Sequence, residues 1–233
     1  MKFPPNFLWG AATSAYQVEG GNLGADWWHW EKARGLEPSG EACRHYVFYD
    51  QDFELARELG HNAHRFSVEW SRVEPHDGVF SQEAIQHYKD VVLSLRSRGI
   101  EPIVTLHHFT NPLWLARLGG WEDERCVGRF ARYADVMVRA LASDVRYWVT
   151  INEPTVYAVY GYVFGIWPPE VKSLRRALKV SGRLAAGHAR VYGQIHRIYK
   201  ELGLEAPSVG VAQFTQAFVP CTGKIRDRLA AWV

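Results

Sequence analysis

The sequence predicts an α/β fold of repeated βα units that curves into part of a barrel instead of lying as an open sheet. Short continuous apolar strands alternate with longer helical patterns, which is the signature of parallel strands joined by crossover helices. A glycine-rich nucleotide turn is missing after the first strand: Gly20, Gly21 and Gly24 occur there, but without GxGxxG spacing and with no helix opening directly. Polar residues stand instead at the C-terminal ends of four strands, namely Gln17, Arg65, His108 and the pair Asn152 and Glu153. That is the pattern of a (βα)8 barrel whose chemistry gathers at one mouth.

Phe7 to Ala15 reads as the first strand. From Tyr46 to Leu59, apolar residues at Phe48, Tyr49, Phe53, Ala56 and Leu59 follow helical spacing, and Gly60 supplies the stop. His61 to Val68 is the second strand. Ser81 has the chemistry of an N-cap, with Glu83 close behind in the first turn. Ala84, Ile85, Tyr88, Val91, Val92 and Leu95 then line one face of an amphipathic helix that ends at Gly99. Pro102 to Leu106 is the third strand, Glu124 to Ala142 a helix, and Arg146 to Ile151 the fourth strand. Leu174 to Leu202 is a long helical region with possible breaks at Gly182 or Gly187. Ser208 to Phe214 is the fifth strand, and Ile225 to Val233 is helical again. Five βα units in 233 residues amount to somewhat more than half of such a barrel, expected as one domain over 1–233.

Composition narrows the function. Hydrophobic residues make up 47% and charged residues 22%, an ordinary globular balance. A net charge of +2 with scattered basic residues gives no footprint for nucleic acid or a membrane surface. Three distant cysteines without CxxC spacing read as reduced thiols. No stretch of signal-peptide or membrane-spanning length occurs, so a cytoplasmic location is expected. Aromatic residues reach 14%, with ten Trp. Most such rings fill cores, but they also cover the apolar face of a pyranose.

The sharpest segment is Thr150-Ile151-Asn152-Glu153-Pro154. Pro154 disfavours the right-handed helical conformation at Glu153, which predicts an extended residue with its carboxylate at the mouth. Asn152 can both donate to and accept from a hydroxyl. An Asn-Glu-Pro run also serves simply to stop a strand, and the segment alone leaves both readings open. Competing chemistries fail on pattern. His107 and His108 are adjacent on a strand and so point to opposite faces, HExxH is absent, and Ser67 and Ser71 lack a GxSxG elbow. Neither a metal nor a cofactor is expected. Glu19 and Glu69 follow the first two strands and read as ion-paired or solvated.

Taken together, these segments resemble glycoside hydrolase family 1, the β-glucosidase and β-galactosidase family. Thr150 to Pro154 resembles the family's acid/base motif, and Phe7 to Gly20 its N-terminal signature. His64 to Arg72 resembles its second strand, Thr105 to Phe109 its third, and Gly119-Gly120-Trp121 the turn that follows. The resemblance implies a (βα)8 TIM barrel that cleaves β-glycosides with retention. It makes Glu153 the general acid/base, and gives the sugar 2-hydroxyl to Asn152. Gln17 and His108 would take the 3- and 4-hydroxyls, Arg65 would sit beside the nucleophile, and Trp121 would line the pocket. Phe109 stands where the family more usually has Trp.

The family's nucleophile lies in a Thr/Ser-Glu-Asn-Gly motif, and no such motif occurs in these residues. The sequence therefore predicts the N-terminal part of a β-glycosidase, with little or no hydrolysis by the chain alone. A non-catalytic sugar-binding protein and a half-barrel completed by a second chain remain the alternatives. Open sheet edges would favour self-association. The partner expected at the mouth is a β-glycoside or oligosaccharide.

Overall fold

The computed structural model describes residues 2–215 and 217–231. Five parallel strands form one sheet in chain order: β1 (Gly10–Ala12), β2 (Ala63–Ser67), β3 (Glu101–His107), β4 (Tyr147–Asn152) and β5 (Ser208–Ala212). Helices fill each crossover. Between β1 and β2 lie α1 (Ala15–Val18), α2 (Asp26–Arg34) and α3 (His45–Glu58); between β2 and β3, α4 (Trp70–Val73) and α5 (Gln82–Ser97). Between β3 and β4 lie α6 (Leu113–Arg117), a 3-10 turn (Gly120–Glu122) and α7 (Cys126–Leu141). The last crossover holds α8 (Pro154–Ala158), a π-helical turn (Val159–Val163) and α9 (Leu174–Glu201), and α10 (Ile225–Ala230) follows β5. The expected helix from Ile225 is thus present, while Trp232 and Val233 lie outside the described residues.

Local chemistry sets most of these boundaries. The Ser81 hydroxyl accepts the Ala84 N–H at 3.2 Å and starts α5, whose Ala84, Ile85, Tyr88, Val91, Val92 and Leu95 are all buried. Each large side chain on that face contributes about 1.5–3 kcal/mol by leaving water. The layer between sheet and helices is rich in rings. Trp70 stacks on Tyr133 with centroids 4.9 Å apart, and the Trp148 indole donates to Tyr199 Oη at 2.7 Å.

The first strand is shorter than expected. Only Gly10–Ala12 pairs, and Ala15 already begins α1. Among the described residues β1 has a single neighbour, so its length is limited to what β2 offers, and Phe7, Leu8 and Trp9 remain exposed beside Phe3. Gly10 is required at its position, since a Cβ there would come 1.9 Å from the Ala63 carbonyl oxygen of β2. At the other end α9 runs unbroken through Gly182 and Gly187. Gly187 is where α9 approaches the indole of Trp121, whose ring carbons lie 3.1 and 3.2 Å from where a Cβ would stand. The glycine there serves packing and leaves the helix intact.

Candidate active site

Of the predicted polar residues, His108, Asn152 and Glu153 stand at the C-terminal ends of β3 and β4, whereas Arg65 is the middle residue of β2 and Gln17 lies beyond β1 on a helix. Arg65 sits in β2 opposite Ala12 of β1, Asn152 ends β4, and His108 follows β3 directly. Asn152 Nδ2 donates to His108 Nε2 at 3.2 Å. Gln17 lies on α1, where the Ser14 hydroxyl donates to its side-chain oxygen at 2.7 Å. Gln17 and His108 line one cleft together with Tyr16, Trp27, Phe109 and Thr110.

Glu153 is half-buried beside this cluster, but it is not extended. Its φ of 45° and ψ of 57° are left-handed. The physical cause is local. Between Val149 and Asn152 the strand carries one residue more than β5 does, a bulge that ends the regular ladder. The Glu153 N–H then donates to the Ala212 carbonyl at 2.7 Å, and Pro154 opens α8 at its first position. Proline disfavours the right-handed region for Glu153, and immediate entry into α8 leaves no room for a straight continuation. What remains is the left-handed region, at a cost of about 1–2 kcal/mol for a residue with a Cβ. Phe109, just past β3, is also left-handed, at φ 68°.

The electrostatics follow from burial. His108 is pulled down to about 3, first by desolvation and then by the nearby Arg65 and His107, so it stays a neutral hydrogen-bonding ring. Arg65 is lowered by burial, while the charge of Glu153 acts in the opposite direction. Its Nε is buried with no hydrogen-bond partner, and among the described residues no carboxylate lies within ion-pair distance. His107 points the other way, into the helical layer. It packs edge-on against Trp121 and Tyr157, with ring centroids 5.3 and 5.8 Å away. Among the described residues no group of three metal-ligating side chains forms. No helix among them is long and apolar enough to cross a membrane.

Trp121 corrects the expectation that it lines the pocket. It is 0% exposed, its Nε1 donates to Asn111 Oδ1 at 3.1 Å, and its ring is enclosed by Phe130 and Gly187. A motif tryptophan after a strand looks like a sugar platform in sequence, but here the turn directs it into the core.

Sequence reasoning missed the network that supports the mouth. Asp26 accepts from Asn111 N and Asn111 Nδ2, each at 2.9 Å, and Thr110 donates to Glu69 at 2.9 Å. Glu69 is fully buried and is held by hydroxyl and backbone donors of Ser71, not by an ion pair or solvent. Glu19 does form the expected ion pair, with Arg72 at 2.9 Å. An aromatic wall was also missed. Trp167 lies with its centroid 5.0 Å from Phe109 and 5.2 Å from Trp27. These partners are far apart in sequence and carry no shared local signal.

The model of glycosyl hydrolase family 1 matches residues 1–232. The chain belongs to glycosyl hydrolase family 1. Among solved structures of the family, a β-glycosidase from Pyrococcus horikoshii matches with a TM-score of 0.90 and 38% identity, over 99% of this chain and 53% of that one. A β-glucosidase from Thermotoga maritima in complex with glucoimidazole matches with a TM-score of 0.90 and 30% identity, over 99% and 54%. β-Glucosidase A of Acetivibrio thermocellus is 33% identical over 239 residues, covering 98% of this chain and 52% of that protein. The chain spans about half the length of the curated relatives it matches. Its five strands are those of a partial family 1 barrel, as the strand-end pattern predicts.

Proposed function

We propose that this chain carries the acid/base half of a retaining β-glycosidase site. The observation that carries the reading is the strand-end cluster. Glu153 is half-buried and held in a strained backbone conformation at the end of β4, beside an Asn152 that hydrogen-bonds His108. In this reading Glu153 protonates the leaving oxygen of a β-glycoside and then activates water. Asn152 holds the 2-hydroxyl, a contact that strengthens in the transition state. Neutral His108 and the amide of Gln17 hold hydroxyls further round the ring. Arg65 steadies the second carboxylate. Retaining chemistry places that group about 5 Å from the first, and it comes from outside this sequence. The T. maritima relative bound to glucoimidazole supports a sugar-shaped occupant for the mouth.

Two measurements test this. The 233-residue chain hydrolyses p-nitrophenyl β-D-glucoside at a negligible rate, because one carboxylate cannot complete the double displacement. It nevertheless binds deoxynojirimycin, whose protonated ring nitrogen the Glu153 carboxylate holds. Glu153→Gln weakens that binding about tenfold or more, the scale of a charge-assisted contact. Unchanged affinity in Glu153→Gln, or robust turnover by the chain alone, sinks the reading. The unpaired outer edges of β1 and β5 among the described residues favour a second reading, in which a further chain completes the sheet. Equilibrium sedimentation of the pure chain distinguishes the two.

A further inference from the structure

A roomy cavity lies away from the mouth. About 390 Å³ of space lies between α2, α6, the 3-10 turn and the segment after β4. That is within the range of small-molecule sites, about 300–1,000 Å³. None of Gln17, Arg65, His108, Asn152 or Glu153 lines it. The two spaces sit on adjacent faces of α2, where the Trp27 and Trp30 rings touch with centroids 5.5 Å apart. Trp27 turns to the mouth with Phe109 and Trp167, while Asp26 and Trp30, one helical turn apart, line the cavity.

The lining carries three ionisable groups, Asp26, Glu122 and Arg176. At one side Glu122 and Arg176 neutralise each other through a two-point ion pair, with Arg176 Nε donating to Oε2 at 2.6 Å. At the floor Asp26 is engaged by Asn111 and by the Trp27 N–H at 2.9 Å. What is left to offer is hydroxyl and N–H chemistry beside apolar faces. Tyr157 and Tyr162 line the cavity, and burial raises both phenols, so each keeps its O–H. Tyr162 shares the cavity wall with Glu122, Asp26 and Arg176. The Trp30 Nε1–H is buried without a hydrogen-bond partner. Glu170 lies near it outside hydrogen-bond geometry and is ion-paired with Arg34. Leu113 and Pro168 complete the apolar surface.

A lining whose ionisable groups are an internal ion pair and one acid already engaged by Asn111, with phenol and indole groups beside apolar faces, suits a neutral ring that carries hydroxyls on its rim and C–H bonds on its faces. We infer that this cavity is a second saccharide-binding site, separate from the mouth and taking one pyranose unit.

The test is a titration of the chain, labelled with 15N in its tryptophan indoles, with methyl β-D-glucopyranoside. The Trp30 indole resonance moves saturably, and it still does so in Asn152→Ala, where the mouth is impaired. Ala116→Trp fills the cavity and abolishes the Trp30 response, while the enclosed Trp121 indole signal reports that the chain is folded. Tyr162→Phe, which keeps the ring and removes only the hydroxyl, raises half-saturation roughly threefold to tenfold and decides the matter if Ala116→Trp does not fold. Shifts confined to Trp27 and Trp167 with Trp30 unmoved overturn the proposal. So does a Trp30 response that survives in folded Ala116→Trp, or a Tyr162→Phe titration that matches the parent. The cavity is tested independently of Glu153, so either reading can fail while the other stands.

Discussion

If Glu153 is held left-handed by its surroundings, replacing it with glycine stabilises the chain relative to replacing it with alanine. Both substitutions remove the carboxylate and its attraction to Arg65, so the comparison isolates the backbone. At φ 45° and ψ 57° alanine keeps the strain of a Cβ in the left-handed region, about 1–2 kcal/mol. Glycine removes that strain but loses more chain entropy on folding, about 0.5–1 kcal/mol. The net expectation is a Gly variant about 1 kcal/mol more stable than the Ala variant. With a urea dependence of about 2 kcal/mol per molar, the unfolding midpoints differ by roughly 0.5 M. Urea melts followed by tryptophan fluorescence measure this directly. A midpoint for Glu153→Ala equal to or above that of Glu153→Gly refutes the reasoning, because the bulge, the Ala212 hydrogen bond and Pro154 would then not be forcing the turn.

Three other perturbations follow from the same geometry. Arg65→Met relieves a buried N–H that lacks a partner and stabilises the chain by about 1 kcal/mol in the same melts; a destabilised variant shows that Arg65 is already satisfied. Asp26 is raised to about 7, chiefly by burial and against its hydrogen bonds from Asn111. The folded chain therefore keeps a proton that the unfolded chain releases near pH 4. That contribution to stability is full below the unfolded value and is lost as pH rises toward 7, at about 1.4 kcal/mol per pH unit at most. Asp26→Asn flattens this part of the stability profile whatever its absolute cost, and parallel profiles for parent and variant contradict the assignment. Trp121→Phe removes the bond to Asn111 and opens space against Gly187, costing about 1–3 kcal/mol while leaving deoxynojirimycin affinity unchanged. A selective loss of that affinity restores Trp121 to the pocket.

Elements whose cause is local were legible in the sequence. The Ser81 cap, the apolar stripe of α5 and the glycine stops each follow from spacing over a few residues, and each stands where it was expected. Two local inferences failed for non-local reasons. The first strand is short because its neighbour, and not its own apolar run, sets how far pairing extends. Glu153 is left-handed because a bulge against β5, some sixty residues on, turns the chain before proline can hold it straight.

The order of βα units was therefore determined by the sequence alone, since helix and strand periods and motif spacing are properties of neighbouring residues. Tertiary structure alone decided that Trp121 belongs to the core, that Asp26 and Asn111 meet across 85 positions, and that a second cavity opens behind α2. Which way a side chain faces, and what lies opposite it, depends on how distant segments pack, and residue types along the chain do not encode that pairwise.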